Sequence, residues 1–294
     1  MLSVLMVGAV LCSAVCTAER EPIKAVMLIS EGRSGSTTLM HTIRSASSAF
    51  VIAEPFYRFL NRNEPPPTLQ ELFNCSFLES PYLTKMVYWP YACKESHYFK
   101  MNEKVDACQE GKISFQDASE LKKQCESAPI KLLKTIRFDG ESNPFAEIIK
   151  DRKFNFQVLH LVRHPWKTIR SQIQRGWYGM DADEIQVEEV AKERCQILFR
   201  TSERLARVIP ANNILEVRHE DLYDDPKNTE LAKLLKFIGS NCAKCFKYGK
   251  GTVRMMKRKK HAFIPILVKN IPETWKHRVM TVDECKRFGF MYNY

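Results

Sequence analysis

The stretch from Ala25 to Glu54, AVMLISEGRSGSTTLMHTIRSASSAFVIAE, constrains this chain more tightly than any other. It reads as strand, tight turn, helix and strand. Ala25 to Ile29 is a short, continuous apolar run, the pattern of a strand buried on both faces of a parallel sheet. Glu31-Gly32-Arg33-Ser34-Gly35-Ser36-Thr37-Thr38 follows at once, after which Leu39, Met40 and Ile43 fall at helical spacing. A turn rich in glycine and hydroxyl groups that feeds a helix start aims several backbone N–H groups and the positive helix end at one point. Such a point suits a phosphate or a sulfate.

The loop is not of the nucleoside-triphosphate kind, which needs G-x-x-x-x-G-K-[ST]; here Arg33 precedes Gly35 and no lysine follows it. The dinucleotide pattern G-x-G-x-x-G is absent too. A plain Ser/Gly turn is the alternative. A second stretch weighs against it. Phe156 to Val162 (FQVLHLV) is another buried strand, ending in Arg163-His164-Pro165 with the proline at the first turn of a helix. On that helix Trp166, Ile169 and Ile173 share one face and Lys167, Arg170, Ser171 and Gln174 another. Arg163 and Ser171, eight positions on, can flank one small polyanion; a solvated basic face is the bland alternative.

Arg33-Ser34-Gly35-Ser36-Thr37-Thr38 after a buried strand resembles the 5'-phosphosulfate loop of sulfotransferases, whose donor is 3'-phosphoadenosine 5'-phosphosulfate. LVRHPWKTIRSQI resembles their 3'-phosphate motif, with His164 where that family shows Asp. EPFY from Glu54, LQELFNCSF from Leu69, KLLKTIR from Lys131 and VRHEDLYDDP from Val217 are similar to the membrane-bound Golgi carbohydrate sulfotransferases of the galactose, N-acetylgalactosamine and N-acetylglucosamine 6-O type, and the tail from Trp275 to Phe290 resembles their closing helix. The resemblance implies a P-loop-like sulfotransferase fold and sulfuryl transfer to a sugar hydroxyl, without a metal. It puts Arg33 on the bridging and sulfate oxygens, Ser34, Gly35, Ser36, Thr37 and Thr38 on the 5'-phosphate, and Arg163 and Ser171 on the 3'-phosphate. Glu54, at the strand end 21 residues after Arg33, matches the general base; pairing with Arg58 or helix capping is its structural alternative. Arg58, Lys134 and Arg137 are expected acceptor contacts. A tyrosylprotein sulfotransferase would share the loop, and an inactive glycan-binding relative would share the fold.

Met1 to Ala18 carries no charged side chain and ends in small residues, as either a cleaved signal peptide or a short signal anchor. The remainder, 19–294, is expected to be one luminal domain. Beyond Cys12 and Cys16 the chain has eight cysteines, an even number that predicts disulfides of undetermined connectivity. Cys242 and Cys245 lack the second ligand pair that zinc needs. Asn74-Cys75-Ser76 is a glycosylation sequon. A net charge of +11 calls for an anionic partner. A Golgi luminal address, as a type II membrane protein held by its first residues or as a secreted one, excludes nucleic acid and leaves an acidic glycan and the donor.

Strands are expected at Lys24–Ser30, Phe50–Glu54, Lys131–Arg137, Phe156–Arg163 and Ile214–Val217, the first two forming a parallel pair. Helices are expected at Ser36–Ser45, Thr68–Phe73, Pro144–Lys150, Asp183–Val208 and Pro226–Ile238. Val187, Ala191, Cys195, Leu198, Ser202, Leu205 and Ile209 form the buried line of the long helix. The weakly patterned stretch to Ala128 reads as a disulfide-pinned insertion, about 75–128, shaping the acceptor groove. The alternation predicts an α/β fold, a parallel sheet between two layers of helices.

Overall fold

The computed structural model describes residues 21–55, 68–76, 115–136, 145–178, 183–224, 229–240 and 271–286. Ile23–Ser30 (β1), Phe50–Ala53 (β2), Ile130–Thr135 (β3), Phe154–Val162 (β4) and Ile214–Arg218 (β5) pair in parallel in the order β2-β3-β1-β4-β5. The helices are Ser36–Ser47 (α1), Leu69–Phe73 (α2), Phe115–Ser127 (α3), Phe145–Lys150 (α4), Pro165–Ile173 (α5), Glu184–Val208 (α6), His219–Asp224 (α7), Thr229–Phe237 (α8), Thr274–Thr281 (α9) and Asp283–Lys286 (α10).

Side chains alternate across the sheet with a period of two. Met27, Ile29, Leu133 and Phe156 pack on one face against Phe73 of α2, Phe145 of α4 and Leu205 of α6. Val26, Leu28, Leu132 and Leu159 turn to the other, against Met40 and Ile43 of α1 and Leu231 and Leu234 of α8. Burial on both faces is why β1 carries apolar residues at successive positions. The expected three-layer α/β architecture is the observed one.

Helix ends follow local chemistry. Asp183 caps α6 through the N–H of Gln186, 2.8 Å away, and Gln186 reaches back to complete a capping box. Thr68 and Glu71 do the same for α2. Trp166, Ile169 and Ile173 of α5 meet Val187 and Ala191 of α6 and Val279 of α9, and the Cys195–Cys285 disulfide ties α6 to α10. The Cys75–Cys125 disulfide joins the chain after α2 to α3.

Four expectations need correction. β1 and β2 are parallel but not neighbours, because β3 lies between them. The stretch before β3 contains a helix, α3, whose polar sequence FQDASELKKQCES hides it. In the apolar line of α6, Thr201 is buried where Ser202 was expected; the Ser202 hydroxyl instead donates to Glu216 at 3.2 Å. The tail is two short helices, broken at Val282 by an extended backbone (ψ 122°), rather than one closing helix. Residues 1–18, most of the insertion, Cys242 and Cys245, Arg58, Arg137 and the chain beyond 286 lie outside the described residues. Among the described residues no helix is long and apolar enough to cross a membrane.

Candidate active site

Parallel strands end on the same side of a sheet, so their carboxyl tips collect whatever follows them. Read across the sheet, the tips carry Glu54 after β2, Lys134 and Ile136 at β3, the loop 31–38 after β1, Arg163 after β4 and His219 after β5. Residues far apart in the chain thus form one row.

The loop is built to expose its backbone. Gly35 precedes α1 in the left-handed region (φ 95°), and α1 has no side-chain cap. The first-turn N–H groups of Ser36, Thr37 and Thr38 therefore have no intrahelical acceptor. Ser34 folds the turn back, its N–H and hydroxyl both donating to the Glu31 carbonyl, at 3.2 and 2.6 Å. The glycines are required by their neighbours. A Cβ on Gly35 would stand 2.4 Å from the His219 ring, and one on Gly32 would stand 2.4 Å from the Trp177 ring.

Helix α5 docks on this loop. The Arg163 guanidinium donates to the Arg33 carbonyl at 2.6 Å, Arg33 Nε donates to the Ser171 hydroxyl at 3.3 Å, and Gln172 Nε2 donates to the Gly32 carbonyl at 2.9 Å. The two sequence motifs are parts of one structure. Arg163 Nε is buried with no hydrogen-bond partner among the described residues. A buried donor of that kind is costly unless matched, and an anion matches it. Burial lowers the Arg163 pKa, while Glu220 and Tyr223 oppose that shift. His164 is buried, and its pKa is pushed down to about 4 by that burial and then by Lys167, Lys276 and Arg163. It is a neutral imidazole at neutral pH.

Glu54 stands at the other end of the row. It leaves β2 in the left-handed region (φ 52°), its N–H donating to the Lys134 carbonyl at 2.7 Å. One carboxylate oxygen accepts from Lys134 Nζ and the other from the Ile136 N–H at 3.2 Å. Lys134 is thus the cation placed on Glu54, where the sequence offered Arg58 as a pairing partner. Arg33 (φ 71°) and Glu54 are two of four described non-glycine residues with positive φ. Such conformations cost on the order of 1–3 kcal/mol each and gather at functional sites. Asn74 lies elsewhere, at the end of α2, its side-chain oxygen accepting from Lys153 Nζ at 2.5 Å.

Gln172, His219, Trp177, Glu31 and Arg194 escaped the sequence reading. Gln172 follows Ser171 directly, and VRHEDLYDDP contains His219; their roles come from contacts across 140 residues for Gln172 and Gly32. Among the described residues, no group of three or more His, Cys, Asp or Glu side chains is disposed to hold a metal ion.

No family model matches the chain, and no curated protein matches it. Several solved structures are similar. The sulfotransferase domain from the Synechococcus PCC 7002 olefin synthase is 15% identical, the match covering 92% of this chain and 97% of that one with a TM-score of 0.47. The sulfotransferase domain from the curacin biosynthetic pathway is 19% identical over 91% and 96%, with a TM-score of 0.46. Mouse sulfotransferase SULT7A1 complexed with PAP is 13% identical over 92% and 82%, with a TM-score of 0.46. At such identities and TM-scores the likenesses assign no activity, and the reading of the site rests on its own geometry.

Proposed function

We infer that this chain transfers a sulfuryl group from 3'-phosphoadenosine 5'-phosphosulfate to a sugar hydroxyl, of the 6-O class, on a glycosaminoglycan or glycoprotein glycan. One observation carries the reading. Arg163 reaches the Arg33 carbonyl at 2.6 Å while Arg33 reaches Ser171 at 3.3 Å, so a loop shaped for one phosphate adjoins a separate pair of groups fit for a second. A doubly phosphorylated nucleoside needs such a pair.

In this reading the N–H groups of Ser36, Thr37 and Thr38, with the Ser34 and Gly35 turn, bind the 5'-phosphate. Arg163 and Ser171 bind the 3'-phosphate, each charge-assisted bond contributing roughly 1.5–3 kcal/mol. Glu54 takes the proton of the attacking hydroxyl as the sulfur–oxygen bond to the sugar forms. The bond from sulfur to the 5'-phosphate oxygen breaks, its electron pair stays on that oxygen, and Arg33 meets the charge. Lys134 and the Ile136 N–H fix the Glu54 carboxylate, which removes the need to order it during the reaction.

Two disulfides, Cys75–Cys125 and Cys195–Cys285, favour an oxidising compartment, in keeping with a Golgi luminal address. The test is transfer of labelled sulfate from the donor to a panel of glycans by the purified chain. Turnover should be lost in Glu54→Gln, with adenosine 3',5'-bisphosphate still bound. Undiminished turnover in that variant would remove Glu54 from the chemistry, and transfer to acidic tyrosine peptides alone would replace the sugar acceptor.

A further inference from the structure

Helix α5 ends in a turn that doubles the chain back. Gly176, in the left-handed region (φ 68°), gives its N–H to the Ile173 carbonyl at 2.8 Å, and the Trp177 N–H reaches the Gln172 carbonyl at 3.2 Å. This pair of bonds is a Schellman closure, which favours glycine at its left-handed position. The reversal lays the Trp177 ring over Gly32 and sets the Tyr178 hydroxyl against the Gln172 side chain.

Gln172 is fully buried, and both ends of its amide are committed. Nε2 donates to the Gly32 carbonyl at 2.9 Å. A carbonyl only accepts, so the amide must turn Nε2 toward Gly32, which leaves Oε1 to accept from Tyr178. Burial pushes the Tyr178 pKa up to about 12 against the pull of Arg194, so the hydroxyl keeps the proton it donates. One chain of donors runs from Tyr178 through Gln172 to the loop.

The carbonyl at the end of that chain adjoins a strained residue. Arg33 (φ 71°) lies between two carbonyls, and a donor holds each: Gln172 the one on Gly32, Arg163 the one on Arg33 itself. A non-glycine residue stays in the left-handed region only where its surroundings impose it. Without the Gln172 bond, the peptide linking Gly32 to Arg33 is free to turn over, φ relaxes to negative values, and the guanidinium is aimed elsewhere. Strain of this order favours the relaxed form by about tenfold or more.

We propose that Gln172, oriented by Tyr178, is a positioning residue for sulfuryl transfer: its amide holds Arg33 in the conformation that meets the charge on the departing phosphate oxygen. The proposal rests on the sulfuryl-transfer reading and deepens it. Binding and chemistry separate at this point. The N–H groups of Ser36, Thr37 and Thr38 belong to α1, and Arg163 and Ser171 to the stretch that follows β4, so a bound nucleotide keeps those contacts when Arg33 relaxes.

The test uses the full chain, labelled donor and the glycan that the wild type sulfates best. Gln172→Met, similar in size but without the donor, should lower kcat by about tenfold or more, while calorimetric affinity for adenosine 3',5'-bisphosphate stays within about threefold. Gln172→Glu, whose carboxyl donates to the Gly32 carbonyl once protonated, should outrun Gln172→Met by about tenfold at pH 5.5. Tyr178→Phe removes only the hydroxyl that orients the amide; it should show the same split at about threefold, and it carries the test where the Gln172 variants do not fold. An unchanged kcat in Gln172→Met and Tyr178→Phe, a kcat loss matched by an equal loss of bisphosphate affinity, or a Gln172→Glu variant no faster than Gln172→Met at pH 5.5 overturns the positioning role alone. Absence of sulfate transfer from the wild-type chain to any acceptor overturns the sulfuryl-transfer reading and the positioning role with it.

Discussion

Replacing Glu31 with glutamine should change how the stability of this protein depends on pH. Burial is the main cause that raises the Glu31 pKa from 4.5 to about 7; Arg194 opposes it and Glu193 adds to it. A carboxyl whose folded pKa is raised holds its proton more tightly when folded. Its contribution is fully present below about pH 4.5 and is lost as pH rises through 7. A shift of about 2.5 units is worth about 3.4 kcal/mol in full, of which about 2.5 kcal/mol falls between pH 5 and pH 8. His164 has the opposite sign. Its folded pKa is depressed from 6.5 to about 4, so its contribution is present above about 6.5 and lost as pH falls through 4. The wild-type profile mixes the two, and a flat curve would hide both. The difference between wild type and Glu31→Gln cancels His164. Urea unfolding of both oxidised proteins, followed by tryptophan fluorescence at pH 5, 6, 7 and 8, supplies it. The variant should gain about 2.5 kcal/mol on wild type from pH 5 to pH 8. A difference constant within about 0.5 kcal/mol would refute the burial of that carboxyl.

Two further substitutions probe the loop. Arg33→Gly removes the left-handed strain at φ 71° and should raise the unfolding free energy by about 1 kcal/mol while sulfate transfer falls below detection; destabilisation by a similar amount would mean that the side-chain contact to Ser171 outweighs the strain. Gly35→Ala places a Cβ 2.4 Å from the His219 ring at a φ of 95°, and it should cost at least about 1 kcal/mol and weaken bisphosphate binding, both visible in thermal unfolding with and without the ligand.

The layers of this fold were legible because burial on both faces writes an unbroken apolar run, as in Ala25 to Ile29. Strand order was not. Val51 and Ile52 pair with Leu132 and Leu133 rather than with β1, and nothing local to Phe50–Ala53 distinguishes those partners. The shape of loop 31–38 and the strand-to-helix stretch from Arg163 to Ser171 were legible because each is contiguous; that both meet at Arg33 is a contact across 130 residues or more that no local spacing shows. Glu54 was legible by position, whereas its partner Lys134 was read as an acceptor contact: a lysine near a strand tip gives no sign of which carboxylate faces it. Glu31 looked like an ordinary turn acid. Its burial comes from α6 and Trp177, more than a hundred residues away, and its only local hint is that it follows six buried residues. Helix α3 escaped because its residues are mostly polar and its anchor, the buried Cys125 of the Cys75–Cys125 disulfide, pairs with a residue 50 positions away.

The central claim is that one row of strand tips holds both phosphates of a single adenosine. Calorimetric titration of the full chain with adenosine 3',5'-bisphosphate and, separately, adenosine 5'-monophosphate tests it most directly. Two charge-assisted contacts to the 3'-phosphate should favour the bisphosphate by at least about tenfold, and Arg163→Ala should erase most of that advantage. Equal affinity for the two nucleotides, or an advantage that survives the loss of Arg163, would contradict the account.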